Sequence, residues 1–353
     1  MSMLVKPKKL TIEANASCQL RCPTCPTTSE GYNPVVGSGH LKFRDFQDLL
    51  DANPQIEEVQ LENRGEMFLN PELLSIIKYG FKKKALMACD SGTNLNYIRS
   101  DVLEGLVKYQ FRRLACSIDG ATPETYRIYR VGGDFDRVIE NIRAINHFKK
   151  VYRSKYPILT WQFIVFGHNE HEIRMAKKMA MDLDMRFALK MSWNSDYSPI
   201  RDEKLVMAET GLPAVTRERF MEVTGVDYMR STCYSLWHSP RVNWDGKILG
   251  CCWNSWGEFG GNAFQDGYIP SINNEKINHA REVLLGKVEP SDSLPCVTCD
   301  LYLKMKDSNN YLTLSEIFHP LYPYRFLYHS ARFIYRAFGI GRLRAWLRKI
   351  KWL

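Results

Sequence analysis

The sequence predicts an α/β chain: a partial (β/α)6 TIM-like barrel, then a small β-hairpin plus helix unit, then a basic helical tail. Three observations predict it. Short apolar runs alternate with amphipathic helical patterns between Leu10 and Lys190, and such alternation implies parallel strands joined by right-handed crossovers. The alternation stops at Ser192. Three cysteines spaced C-x3-C-x2-C, at Cys18, Cys22 and Cys25, directly follow the first apolar run, at the strand end where such sheets place ligands. The expected organisation is a barrel over residues 1–191, a linker or insertion over 192–232, an auxiliary unit over 233–302 and a tail over 303–353.

The first strand is the run Leu10-Thr-Ile-Glu-Ala, and the cysteine loop leaves it. Phe43, Phe46, Leu49 and Leu50 then recur at helical spacing, and Val59–Asn63 reads as the second strand. Proline opens a helix over Pro71–Lys83, strand Ala85–Cys89 follows, and helix Asp101–Lys108 leads to strand Arg113–Ser117. Phe135, Val138, Ile139, Ile142 and Ile145 mark a long helix with one apolar face. Strand Thr160–Phe166, helix Glu170–Leu183 and strand Arg186–Lys190 complete the series. Met175, Met179, Met181, Met185 and Met191 read as core filling, and His168 and His171 as solvated loop residues. From Ser192 to Thr232, prolines, glycines and mixed charge describe an elaborated linker able to cover the barrel mouth.

The chain has 353 residues, 45% of them hydrophobic and 25% charged, which are globular values. Its net charge of +9 is concentrated in the tail, where Pro320–Leu353 carries eight cations and no Asp or Glu. The remainder is close to neutral, and no helix-turn-helix, zinc-finger or RNP-like pattern appears, so nucleic acid is not an expected partner. No secretory segment precedes Cys18 and no apolar run reaches about 18 residues. Ten cysteines in such a chain predict metal in a reducing cytoplasm and not disulfides.

Three crowded thiols suit iron. A structural Zn site or a fully ligated iron–sulfur cluster takes a fourth protein ligand, whereas three cysteines on a cubane leave one iron open to an outside donor. Further along, Cys233, the Asp245-Gly246 turn, Cys251-Cys252 and Cys296-Val-Thr-Cys299 supply a second set of thiols. A hairpin at Asp245-Gly246 would bring strands carrying Cys233 and Cys251 side by side. Four thiolates there hold either Zn or an iron–sulfur cluster.

The Cys18/Cys22/Cys25 loop resembles the signature of the radical S-adenosylmethionine (SAM) superfamily, with Thr24 where that family often has an aromatic residue. The resemblance implies a [4Fe-4S] cluster whose open iron binds SAM, making Cys18, Cys22 and Cys25 the catalytic and metal-binding core. It further implies that Gly65-Glu66 holds the methionine amino group, and that Asp90-Ser91-Gly92-Thr93-Asn94 stands for the family's Thr-Asn-Gly turn, with Ser91 in the asparagine position. Ser117-Ile-Asp119-Gly120 and the later Arg130 resemble the Ser-x-Asp-Gly and Arg-x-Gly of radical SAM maturases and dehydrogenases, which implies ribose and carboxylate contacts for Ser117, Asp119 and Arg130. Asn169 is a further implied SAM contact. On residues alone, Asp119 or Thr122 ahead of Pro123 serves equally as a helix cap. Cys233–Cys299 resembles the SPASM or shorter twitch extension of that superfamily. It implies one auxiliary [4Fe-4S] cluster on Cys233, Cys251, Cys296 and Cys299, with Cys252 able to replace Cys251. Cys89, Cys116 and Cys252 are left as small buried hydrophobes, or in one case a hydrogen-atom donor.

The resemblance thus implies an enzyme that cleaves SAM to a 5′-deoxyadenosyl radical and abstracts hydrogen from a sugar-like or lipid-linked small molecule, oxidising or epimerising it. It would draw electrons from a reductant such as a flavodoxin or ferredoxin. A peptide-modifying maturase is the alternative, weighed down by the lack of a peptide-binding extension before the barrel; a non-catalytic iron–sulfur carrier is a third. The tail places Leu343, Trp346, Leu347, Ile350 and Leu353 on one helical face and Arg344, Arg348, Lys349 and Lys351 around the other. Such a helix either lies on an anionic membrane surface, giving a cytoplasmic protein peripheral to the inner face, or docks on the barrel.

Overall fold

The computed structural model describes residues 4–29, 31, 33–62, 64–225 and 227–318. Six parallel strands follow one another in chain order: β1 (Lys9–Ile12), β2 (Glu58–Leu61), β3 (Leu86–Thr93), β4 (Arg113–Ser117), β5 (Ile158–Val165) and β6 (Arg186–Met191). Helices α1 (Phe43–Ala52), α2 (Leu73–Lys82), α3 (Ser100–Lys108), α4 (Pro123–Tyr129), α5 (Phe135–Val151) and α6 (Ile173–Asp182) occupy the connections. This is the expected partial (β/α)6 barrel. The free edge of β1 is then covered by β7 (Arg241–Val242), parallel to it, and by β8 (Ile248–Gly250), antiparallel to β7. The hairpin expected in a separate unit therefore extends the barrel sheet and hides an edge that would otherwise expose unpaired backbone groups.

The side-chain period of two divides the strands sharply. Outward residues are apolar and packed under the helices: Leu10, Ile12, Val59, Leu61, Leu114, Cys116, Trp161 and Phe163 are all buried. The register aligns the opposite face, with Thr11 beside Gln60 and Arg241, Gln60 beside Ala88, Ser117 beside Gln162, and Ile164 beside Lys190. The inner face thus carries Glu13, Glu62, Asp90, Ser117, Asp119 and Lys190, where closed barrels usually stack branched apolar side chains. Asp90 and Arg113 remain 41% and 35% exposed on this face, so the interior is wet.

Several boundaries differ from expectation. β3 runs on through Thr93 with a register shift after Cys89, because Gly92 (φ +119°) bends the strand where an added Cβ would meet Ser117 Oγ at 2.2 Å. Glu170–Glu172 forms a 3₁₀ turn before α6, since both carboxylates are buried as acceptors: Glu172 for Ala121, Thr122 and Thr125, Glu170 for the amides of Arg201 and Asp202. Met175 and Met181 are exposed and do not fill the core. The 192–232 segment contains helices α7 (Glu203–Thr210) and α8 (Arg217–Thr224), each closed by a left-handed glycine, Gly211 and Gly225. After α9 (Glu275–Leu284), helix α10 (Asp300–Asp307) runs across the boundary expected at 302/303, and Leu312 and Ile317 are buried. Arg230 fixes this stretch by pairing with Glu316 at 2.5 Å and donating to the carbonyls of Asn310 and Tyr311. The proposed amphipathic tail helix lies outside the described residues, and none of the described helices is long and apolar enough to cross a membrane.

Candidate active site

The cysteine loop sits at the C-terminal end of β1, and the next strand end holds it there. Gly65 passes so close beneath it that a Cβ would lie 1.8 Å from the carbonyl oxygen of Asn15, and the amide of Glu66 donates to Ser17 O at 2.8 Å. Asn15 Nδ2 donates to Ser17 O and Glu66 O, closing the contact from the other side. Cys22 and Cys25 are joined by a Cys25 N to Cys22 O bond of 3.0 Å. Two nitrogen donors point at the sulfurs: Asn94 Nδ2 lies 3.5 Å from Cys18 Sγ, and Arg130 Nη1 lies 3.7 Å from Cys22 Sγ. Thr27 Oγ1 lies 3.0 Å from Cys25 Sγ. Burial pushes the Cys18 thiol up to about 12, with the Glu66 charge adding to it, and also raises Cys22.

The other expected residues converge on this loop at the strand ends. Glu66 is buried and accepts from the Thr93 hydroxyl and from the amides of Asn94 (2.7 Å) and Phe68 (3.3 Å); burial still raises its carboxyl above the ordinary value. Asp119 is fully buried and is paired with Arg130 at 2.6 Å, while its second oxygen accepts the Ile164 amide at 2.7 Å. The helix cap is Thr122, which accepts from Thr125 N. Asp119 is therefore the clamp that turns Arg130 toward Cys22. Asn169 is completely buried as a tie, donating to Asp119 O and Ile164 O and accepting from Phe166 N. Ser117 packs beside Gly92 and Gln162 on the inner face, and the amide of Ser91 donates to Glu62.

The insertion after β6 lies over the loop. Trp193 Nε1 donates to Thr24 O at 3.0 Å, and Tyr129, Phe166 and Tyr197 form an aromatic cluster whose Tyr129 hydroxyl meets Thr24 Oγ1 at 2.8 Å. His168 stacks on Phe166 and is half-buried, not a solvated loop residue; burial lowers its pKa to about 4 and keeps it neutral. A pocket of about 270 Å³ opens beside Cys18, lined among others by Ser17, Thr27, Asn33, Ser38 and Arg64.

No protein-family model matches this chain. Over 147 residues it is 26% identical to an AdoMet-dependent heme synthase of Methanosarcina barkeri, and that match spans 41% of each chain. Among solved structures, SuiB of Streptococcus suis bound to S-adenosylmethionine superposes with a TM-score of 0.60 at 14% identity, over 84% of this chain and 72% of that one. Native anSMEcpe with bound AdoMet gives a TM-score of 0.59 at 15% identity, over 97% of this chain and 99% of that one. The fold is that of the radical SAM enzymes. It agrees with the resemblance read from the cysteine loop.

Beyond the radical SAM barrel, the second group of thiols gathers from three places. Cys233 lies on a 3₁₀ turn (Arg230–Tyr234) and not on the hairpin, Cys251 directly follows β8, and before α10 Cys296 lies within a second 3₁₀ turn (Pro295–Thr298) that Cys299 closes. Cys233 is buried and feels Cys251, Cys296, Cys299 and then Cys252, in falling order, on top of the burial that raises its thiol. Cys296 feels Cys251 and Cys299. Cys252 lies close to Cys251 and within reach of the half-buried guanidinium groups of Arg241 and Arg217, the first of which Cys251 also reaches. Cys89 and Cys116 are buried on the helix-facing side of the sheet. Among the described residues no three His, Cys, Asp or Glu side chains form a site for a single ion; a four-iron cubane binds each thiolate through a different iron and takes ligands set further apart.

Sequence reasoning missed Asn94 as the donor to Cys18 and missed the charged interior: Glu13, Glu62, Lys190, Arg217 and Arg241. The available signal was polar residues at alternate positions of strands in a parallel sheet. Strands buried on both faces read as continuous apolar runs, so Thr11-Ile-Glu13 and Gln60-Leu-Glu62 already marked one face as something other than core.

Proposed function

We propose that this chain is a radical SAM enzyme that reductively cleaves S-adenosylmethionine and abstracts a hydrogen atom from its substrate. The observation that carries the reading is the placement of Cys18, Cys22 and Cys25 at the mouth of a polar barrel, with Asn94 and Arg130 donating toward two of the sulfurs. Such N–H donors to sulfur stabilise thiolate charge and tune an iron–sulfur centre. The three thiols fit a [4Fe-4S] cluster with one open iron. When bound, that cluster with SAM supplies a 5′-deoxyadenosyl radical. Glu66, a buried carboxylate, offers the ammonium group of SAM a counter-charge, and Gly65 brings it to the loop. Ser117 faces the chamber beside Gln162, and the Ser91 amide donates to Glu62 there. Asp119 and Asn169 act one step back, holding Arg130 and the ends of β4 and β5 in place.

Cys233, Cys251, Cys296 and Cys299 fit a fully ligated auxiliary [4Fe-4S] cluster: Cys251 acts on Cys233 more strongly than Cys252 does, and Cys251 and Cys299 are the thiols that act on Cys296. A cluster with no open iron accepts an electron from a substrate radical, which suits oxidation of a sugar-like or lipid-linked small molecule, with a flavodoxin or ferredoxin as reductant; epimerisation instead needs a hydrogen-atom donor, such as a spare cysteine. A peptide substrate is supported to the same degree: SuiB bound to precursor peptide SuiA and anSMEcpe with bound Cp18Cys peptide share the fold, at TM-scores of 0.59 and 0.58. The test is anaerobic. The full chain is reconstituted with iron and sulfide, given SAM and dithionite, and assayed for 5′-deoxyadenosine. Formation of that product by the parent and not by Cys18→Ala, Cys22→Ala or Cys25→Ala is expected; its absence from a fully loaded parent overturns the proposal.

A further inference from the structure

The barrel interior can be read charge by charge. Arg113 is paired with Asp90 at 2.8 Å and Glu58 at 3.0 Å, Arg130 with Asp119 at 2.6 Å, and Arg241 with Glu62 at 3.5 Å. Two interior cations stand outside this pairing. Lys190 projects from β6 on the inner face, in register with Ile164, and has no hydrogen bond or ion pair to any described residue. The carboxylates near it, Glu62, Asp119 and Asp90, are already engaged by Arg241, Arg130 and Arg113. Arg217, the first residue of α8, has a buried Nε with no partner, a weak contact of Nη2 to Met191 O at 3.5 Å, and a stacking contact to the Tyr228 ring at 5.4 Å.

Their positions coincide. Met191 directly follows Lys190, so the contact of Arg217 with its carbonyl places both cations at the C-terminal end of β6. Arg241 stands on β7, beyond β1 and so at the other end of the strand series from β6, and its ion-pair partner Glu62 also lies near Lys190. Burying cations without counter-charge costs stability. Cations gathered from three separate elements around a wet chamber are arranged for an anion that arrives from solution, which guanidinium and ammonium groups bind by charge-assisted hydrogen bonds.

We propose that Lys190 and Arg217, with Arg241 facing them, form a recognition site for an anionic group of the substrate, a carboxylate or a phosphate. The proposal rests on the reading of the interior as the substrate chamber. It narrows the substrate to molecules that carry such a group.

The test uses the full, reconstituted chain. Its melting temperature is followed against sodium phosphate in one arm and sodium citrate in the other, with sodium chloride holding ionic strength constant. The parent is expected to give a saturable rise with at least one anion. Lys190→Gln and Arg217→Gln should each move the half-saturation point up by about tenfold, the loss of one charge-assisted bond; Lys190→Arg should restore it, and Lys306→Gln on the exposed face of α10 should leave it unmoved. A response to phosphate alone assigns a phosphoryl group, and a response to citrate alone a carboxylate. No saturable response in the parent, or one that Lys190→Gln, Arg217→Gln and the parent share equally, overturns the proposal. 5′-Deoxyadenosine is measured on the same parent sample: saturable anion binding without that product sinks the radical SAM reading and leaves the anion site standing.

Discussion

Removing Arg130 tests how the site is held. Its guanidinium donates to Asp119 Oδ2 from Nε at 2.7 Å and Nη2 at 2.6 Å, the carboxylate is fully buried, and among the described residues the only other donor to that carboxylate is the Ile164 amide. Breaking a buried pair from one side leaves the other charge uncompensated, at about 3–5 kcal/mol, whereas removing both partners costs far less. Arg130→Met is therefore expected to lower the unfolding free energy of the cluster-free protein by about 3–5 kcal/mol at pH 8, and Arg130→Met with Asp119→Asn to recover most of it. The pH dependence has a definite sign. Burial raises the Asp119 carboxyl above its ordinary value, and Arg130 is the largest pull back down. Without Arg130 the folded-state value climbs further, so the stability such a group contributes is present at low pH and lost as pH rises through that value. The deficit of Arg130→Met should thus shrink from pH 8 toward pH 5. Urea unfolding followed by circular dichroism measures it. A deficit under about 1 kcal/mol, one equal at both pH values, or one that Asp119→Asn does not relieve would refute the clamp.

Three further outcomes are expected. Cys299→Ala should lose about half the bound iron after reconstitution, since it removes a ligand from one of two four-iron clusters; iron content equal to the parent's removes the auxiliary site. Glu13 is buried and raised from 4.5 to about 7, mainly by desolvation. Its stability contribution is present below about 4.5 and lost as pH rises through about 7, so Glu13→Gln should stabilise the protein at pH 8 by up to about 3 kcal/mol (about 2.5 pKa units at 1.36 kcal/mol each) and not at pH 4.5; a flat difference between the two pH values contradicts it. Gly65→Ala drives a Cβ to 1.8 Å from Asn15 O and should cost about 1–3 kcal/mol or more together with iron at the Cys18 loop; iron binding at the parent's level shows that the loop does not depend on this contact.

How much of this was legible in the sequence follows from the kind of signal each feature leaves. The six strands and their helices were readable because their outward faces are apolar at fixed periods, as in Phe46, Leu49 and Leu50 of α1 or Val138, Ile139 and Ile142 of α5. The cysteine loop was readable because its three ligands are adjacent in the chain. The hairpin turn was readable too, but its destination was not: Asp245-Gly246 fixes a local reversal, while pairing with β1 depends on contacts such as Trp244 Nε1 and Asn243 Nδ2 donating to Val36 O, more than two hundred residues away in the chain. For the same reason Asp119 read as a plausible helix cap until Arg130 was seen to claim it. The charged interior is the instructive case. Glu13, Glu62 and Lys190 each look like a polar residue near a strand end, and only the register shows that they share one face of one sheet. That face cannot be a packed core, because its side chains carry more charge than the Arg113, Arg130 and Arg241 pairs neutralise. A chamber so lined stays open to water, and selects its occupant by charge.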